Sequence, residues 1–197
     1  KPQKQLESLK MDQNCFVIFQ KNFILKIDSN IMSKIQIIDN FLSQSEFEEL
    51  KTFLMSPRSQ WRFVNFIAHK DGRDGDKDGY FVHSFRDCDP KTFKDRFPIS
   101  PNYQVIDNLM IGIEKKVKFK QILRIRSSLY PRREKQIPDP FHVDYQFNHK
   151  VCIFYVNSNN GYTLFENGNK VDSVANRLMV FDGTEKHCSV VQTDEPA

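Results

Sequence analysis

Two histidines and an aspartate carry the most specific chemistry in this chain. Phe141-His142-Val143-Asp144 sets an imidazole and a carboxylate two residues apart, and His187 follows forty-three residues after the aspartate. On a strand the side-chain period is two, so His142 and Asp144 project from one face and can reach the same ion. Two imidazoles and one carboxylate, with coordination positions left open, form the donor set that suits non-haem Fe(II). A lone His-x-Asp arises by chance in many chains, so its weight depends on the elements around it. His69, His83 and His149 lack such company and read as surface or hydrogen-bonded core residues.

The elements that must position these residues fall into two groups. Ile35–Ile38 reads as a short strand, followed by a helix whose start is well marked. Ser43 and Glu46 have capping-box spacing, Leu42 and Phe47 stand at the two positions of a hydrophobic staple, and Phe47, Leu50, Phe53 and Leu54 form the apolar stripe before Pro57. Strands are predicted over Trp61–Ile67 and Tyr80–Phe85, and a helix over Tyr103–Val117, where Val105, Ile106, Leu109, Met110 and Ile113 recur at helical spacing. From residue 121 the pattern becomes short strands: Ile122–Leu129, Phe141–Phe147, Val151–Val156, Tyr162–Phe165, Lys170–Val174 and Arg177–Phe181. In the first of these, Leu123 and Ile125 alternate with Arg124 and Arg126. Helices early and closely spaced strands later predict an α+β domain with a sandwich or barrel core.

At 197 residues the chain is long enough for one domain with a substantial core. A net charge of +4 is mild. The basic run Lys115, Lys116, Lys118, Lys120, Arg124, Arg126, Arg132, Arg133 and Lys135 offers a possible nucleic-acid or acidic-peptide surface, but a solvated helix end followed by a strand edge accounts for it more simply. No apolar run approaches the length of a membrane-spanning helix, and the first thirty residues lack the order of a signal peptide. Cys15, Cys88, Cys152 and Cys188 show no Cys-x-x-Cys pairing and read as reduced thiols of a cytoplasmic protein. Asp74–Gly79 copies the first half of a calcium loop, but Phe85 stands where a bidentate Glu belongs, so a solvated turn is expected. Met32-Ser33-Lys34 precedes the first well-patterned strand. Residues 1–31 are therefore read as a leader or read-through extension, and 32–197 as the domain.

His142-Val143-Asp144 and the distal His187, with the sequence between them, resemble the 2-oxoglutarate- and Fe(II)-dependent dioxygenases, in their prolyl-hydroxylase-like branch. Cys152-Ile153-Phe154-Tyr155-Val156-Asn157 is similar to that branch's strand after the His-x-Asp, and Asn157–Gly161 to the turn that follows it. Asn176–Phe181 is similar to the strand before the distal histidine, and Leu129-Tyr130-Pro131 to the tyrosine-containing strand upstream. The likeness covers about residues 35–197. It implies a double-stranded β-helix (jelly-roll) core with N-terminal flanking helices, and an enzyme that couples 2-oxoglutarate decarboxylation to hydroxylation of a small-molecule or peptide substrate. It also implies Fe(II) held by His142, Asp144 and His187, 2-oxoglutarate as cosubstrate and ascorbate as a candidate reductant.

The far carboxylate of 2-oxoglutarate needs a hydroxyl and a cation, because a buried carboxylate without partners is costly. By resemblance Tyr155 supplies the hydroxyl, with Tyr130 nearby. The family's cation is an Arg or Lys shortly after the distal histidine, yet residues 188–197 contain neither. The expectation is that the last strand is missing from the sequence. Arg177, Arg124 and Arg126 are the substitutes within it, Arg177 alternatively serving as a structural ion pair. Two rivals stay open: a catalytically inert jelly-roll binding module, and a cupin-type metalloenzyme using the same ligands.

Overall fold

Among the described residues, ten strands and two helices build an α+β fold in which every strand pairing is antiparallel. The computed structural model describes residues 16–25, 35–65, 79–117 and 119–194. His69, Cys15 and most of the calcium-like loop lie outside these residues. The strands are β1 (Phe16–Leu25), β2 (Gln36–Ile38), β3 (Arg62–Val64), β4 (Tyr80–Asp87), β5 (Phe119–Tyr130), β6 (Lys150–Tyr155), β7 (Tyr162–Phe165), β8 (Lys170–Asp172), β9 (Arg177–Asp182) and β10 (His187–Val190). Seven of them form one sheet in the order β2-β9-β6-β1-β5-β4-β3, and three form a second in the order β10-β7-β8.

The helices cover one face of the large sheet. Helix α1 (Gln44–Leu54) starts at the expected capping box: Ser43 Oγ accepts from the Glu46 amide and the Glu46 carboxylate accepts from the Ser43 amide. Helix α2 (Asp107–Lys116) is preceded by a 3₁₀ turn at Tyr103–Ile106, so the predicted helix begins one tighter turn late. Both helices press Phe47, Leu50, Leu54, Ile106, Leu109 and Ile113 onto Ile125, Leu129, Cys152, Phe154, Leu178 and Val180 of the sheet. Strand alternation sends Val151, Ile153, Tyr155, Met179, Phe181 and Tyr130 to the opposite face. There they share a second buried cluster with Phe165 and Val171 of the small sheet. Among the described residues no helix is long and apolar enough to cross a membrane.

Two places differ from what the residue pattern suggests. The expected strand Phe141–Phe147 is not one; only His142 in it makes a bridge. Pro138 and Pro140 have no N–H to donate to a ladder, and beyond Asp144 the chain curls so that Tyr145 stacks on Phe147 and both pack against His149. Phe16–Leu25, within the segment read as a leader, lies between β5 and β6, its backbone registered along both. Helix α1 is tied to the sheet by Asn176, which sits at φ 61°. Its side chain accepts from the Leu42 amide and donates to the Leu42 carbonyl, both at 2.9 Å.

Candidate functional site

His142 and His187 meet through the backbone. Each amide donates to the other's carbonyl, at 3.0 and 3.1 Å, which places the loop after Pro140 directly against the start of β10. This pairing brings the two ring centroids to 4.8 Å. His142 Nδ1 lies 3.1 Å from the Pro140 carbonyl and His187 Nδ1 lies 3.1 Å from the Glu185 carbonyl. A carbonyl only accepts, so in the neutral ring each Nδ1 carries the proton and each Nε2 keeps its lone pair. A hydrogen bond of this kind fixes the orientation and raises the basicity of a metal-binding imidazole.

Asp144 completes the cluster, its Oδ2 at 4.0 Å from His187 Nε2 and its side chain only 4% exposed. Oδ1 accepts a hydrogen bond from Arg124 on β5. Burial pushes the Asp144 acid group up, but the positive charges of Arg124 and then Arg126 outweigh it and hold the carboxyl well below the usual carboxylate range. Asp144 is therefore ionised at neutral pH. Burial pushes His187 down to about 4, and Asp144 recovers only part of that shift. His142 is lowered by the same cause. Both imidazoles are neutral near pH 7, the state in which they can ligate a metal.

Aromatic rings wall the cluster on the small-sheet side. Phe181 and Phe165 both contact the His187 ring, at 4.9 and 6.3 Å between centroids, and meet each other edge to face at 5.0 Å. The next imidazole, His149, is 2% exposed, bonds the Phe147 carbonyl through Nδ1 at 2.7 Å and lies flat against Gly183. A Cβ at Gly183 would stand 2.1 Å from His149 Nε2, so only glycine lets the turn before His187 pass under that ring.

The other residues singled out by the sequence separate clearly. The Tyr155 hydroxyl is fully buried and lies 2.7 Å from Thr163 Oγ1 on the small sheet. Tyr130 stacks on Tyr80 at 5.0 Å and its hydroxyl meets Ser189 on β10 at 3.5 Å. Burial raises both phenols. Arg177 instead grips Asp39 through two nitrogens, at 2.5 and 3.0 Å, and the Asp172 carbonyl at 3.1 Å, the structural ion pair given above as its alternative role. His83 bonds the Gln60 carbonyl and Ser100, as a core histidine should. Within the basic run, Arg124 turns inward to Asp144 and Arg133 to the buried Asp139. Cys88, Cys152 and Cys188 are buried and are not in disulfides. Missed in the sequence was the link between Arg124 and Asp144. The alternation of β5 signals it, since Leu123 and Ile125 on one face commit Arg124 and Arg126 to the other.

Among the described residues no three or more His, Cys, Asp or Glu side chains stand in ready metal-holding geometry. The donor set of His142, Asp144 and His187 nevertheless fits a divalent metal in its chemistry: two neutral imidazoles with locked Nε2 lone pairs beside an ionised carboxylate that keeps Oδ2 on the histidine side. These features define a class only, an antiparallel two-sheet α+β protein with a His-x-Asp…His cluster at one end of its sheets. Set against known proteins, the chain matches no family model and no curated relative.

Proposed function

We propose that the protein is an Fe(II)- and 2-oxoglutarate-dependent dioxygenase that hydroxylates a small-molecule or peptide substrate. The observation that carries this reading is the reciprocal backbone pairing of His142 with His187, each ring locked to present Nε2 beside the Asp144 carboxylate. The order of the strands supports it. From β5 onward the chain passes to the His142 bridge beside β10, then to β6 in the large sheet, β7 and β8 in the small, β9 in the large and β10 in the small. This alternation suits a double-stranded β-helix.

In this reading His142, Asp144 and His187 hold Fe(II), which when bound supplies the activation of oxygen at the expense of 2-oxoglutarate. The chain's own contribution is positioning and exclusion of water. Arg124 keeps Asp144 ionised and oriented, and the two carbonyl-bound Nδ1 atoms fix the histidine tautomers. Phe165 and Phe181 shield His187, so charges at the site interact through protein, not water. Anaerobic addition of Fe(II) and then 2-oxoglutarate should give the weak visible charge-transfer band of a chelated complex, absent in His142→Ala. Failure of the wild-type chain to give the band, or its persistence in His142→Ala, refutes the reading.

One observation favours a rival. Arg124 already compensates Asp144 without any metal, which is what an inert binding module that keeps the fold requires. The same titration separates the two, since such a module binds neither Fe(II) nor 2-oxoglutarate.

A further inference from the structure

A cavity of about 310 Å³ opens where the two sheets end beside each other. β2 is the last strand of the large sheet and β8 the last of the small one, and residues of both line it. Its floor is Phe165, Val171 and Phe181, side chains of the second buried cluster that are almost wholly withdrawn from water. β2 supplies a wall. Ile38 packs with the helix-side cluster, so strand alternation turns Ile35 and Ile37 toward the small sheet. Ile35 packs against the second cluster there, but Ile37 is 47% exposed and borders the cavity. An isoleucine that faces inward and stays wet, above a floor of buried rings, is apolar surface that a ligand gains by covering.

The charged groups around this floor leave a negative balance. Lys170 is engaged by Asp172 at 2.8 Å and lies over the Tyr162 ring at 4.1 Å. Asp182 is held by Lys150 at 3.3 Å and by the Thr184 hydroxyl at 2.7 Å. Glu185 is half-buried on the cavity wall, and its carboxylate pairs with no cation among the described residues. We infer that the cavity binds a small molecule with a primary ammonium group on an apolar body. The body lies against Phe165, Val171, Phe181 and Ile37, and the ammonium meets Glu185. An ammonium has only donors and an ionised carboxylate only acceptors, so the pair is complementary in both charge and hydrogen bonding. The volume is at the lower end of the range for small-molecule sites. Phe165 and Phe181 also contact the His187 ring, so the cavity adjoins the cluster through that aromatic pair. His142, Asp144 and His187 are not among the described residues that line it, and the assignment goes beyond the dioxygenase reading without depending on it.

The test is a methyl-resolved NMR titration of the metal-free full chain, labelled at Ile and Val, with three probes that share one body: 2-phenylethylammonium, 2-phenylethanol and 3-phenylpropanoate. The ammonium should shift the methyl signals of Ile35, Ile37 and Val171 saturably and bind about tenfold more tightly than the alcohol, as expected for a partly exposed charge-assisted hydrogen bond. The carboxylate probe should shift none of them. Glu185→Gln should abolish the preference for the ammonium and leave the alcohol's affinity unchanged. Ile37→Ser, at a position exposed enough to spare the fold, should weaken ammonium and alcohol alike by several-fold. Absence of saturable shifts at these methyls, equal affinity for the three probes, an undiminished preference in Glu185→Gln, or unchanged affinities in Ile37→Ser overturns the assignment. None of these outcomes bears on the iron titration, which tests the dioxygenase reading separately.

Discussion

The metal-free protein should be acid-labile in a window set by His187. This imidazole is held at about 4 in the folded protein against 6.5 when free, chiefly by burial. Between these values the unfolded chain takes up a proton that the native site refuses, so the stabilisation is full above pH 6.5 and is lost as pH falls toward 4. At about 1.4 kcal/mol per pKa unit the gap caps the effect near 3 kcal/mol, of which about 2 kcal/mol is lost between pH 7 and pH 5. His142, lowered in the same sense, adds to the slope. Asp144, held below the ordinary carboxylate range, stays ionised across this window and gives up its contribution only in stronger acid. The assay is urea unfolding at pH 7, 6 and 5 for the wild-type chain and His187→Gln, in chelator. The stability difference between the two should shrink by about 2 kcal/mol from pH 7 to pH 5. Parallel pH dependences would show that His187 is not buried neutral and would refute the reasoning about the site's electrostatics. Saturating Mn(II) should steepen the wild-type slope, because metal and proton compete for the same lone pair.

Two further substitutions probe what holds the site in place. Asn176→Ala strips the buried Leu42 amide and carbonyl of their partners and puts a Cβ residue without a polar side chain at φ 61°, so urea unfolding should show a loss of about 3 kcal/mol. Asn176→Gly should recover the conformational part of that loss and not the hydrogen-bonded part. Arg177→Met breaks a pair whose partner Asp39 is 52% exposed, so stability should fall by under about 1 kcal/mol, and 2-oxoglutarate binding to the Mn(II) form should be unchanged. A tenfold weaker 2-oxoglutarate in Arg177→Met would make Arg177 its carboxylate anchor.

Local signals carried over well into structure, and non-local ones did not. The Ser43–Glu46 capping box and the 162–165 strand were legible because their determinants are a few residues apart. The partnership of His142 and His187 was legible from residue type and order, as two imidazoles suited to one ion with Asp144. The strand expected around His142 does not form because Pro138 and Pro140 withhold ladder donors and the chain curls beyond Asp144, where Tyr145 and Phe147 pack on His149, contacts that alternation does not reveal. Phe16–Leu25 carries a clear β signal in its aromatic and β-branched residues, Phe16-Val17-Ile18-Phe19 and Phe23-Ile24. Its partners lie about a hundred residues away or more, where periodicity within a window cannot reach them. The inward turn of Arg124 and Arg126 was visible as alternation, but only the second sheet makes that side an interior.

The place of β1 has a consequence for how the chain must be made. In the large sheet, β5-β4-β3 and β6-β9-β2 are joined, among the described residues, through β1 alone, with Phe16 opposite Tyr130 and Ile18 opposite Tyr155. During synthesis β1 leaves the ribosome more than a hundred residues before β5 is complete, a wait of roughly ten seconds at ordinary elongation rates. Throughout that interval it is an apolar strand with two open edges, the kind of segment that pairs with other chains. Assembly of the sheet is therefore late and non-local. Yield and solubility in cells should respond to anything that shields β1 while it waits, such as a holding chaperone or slower initiation.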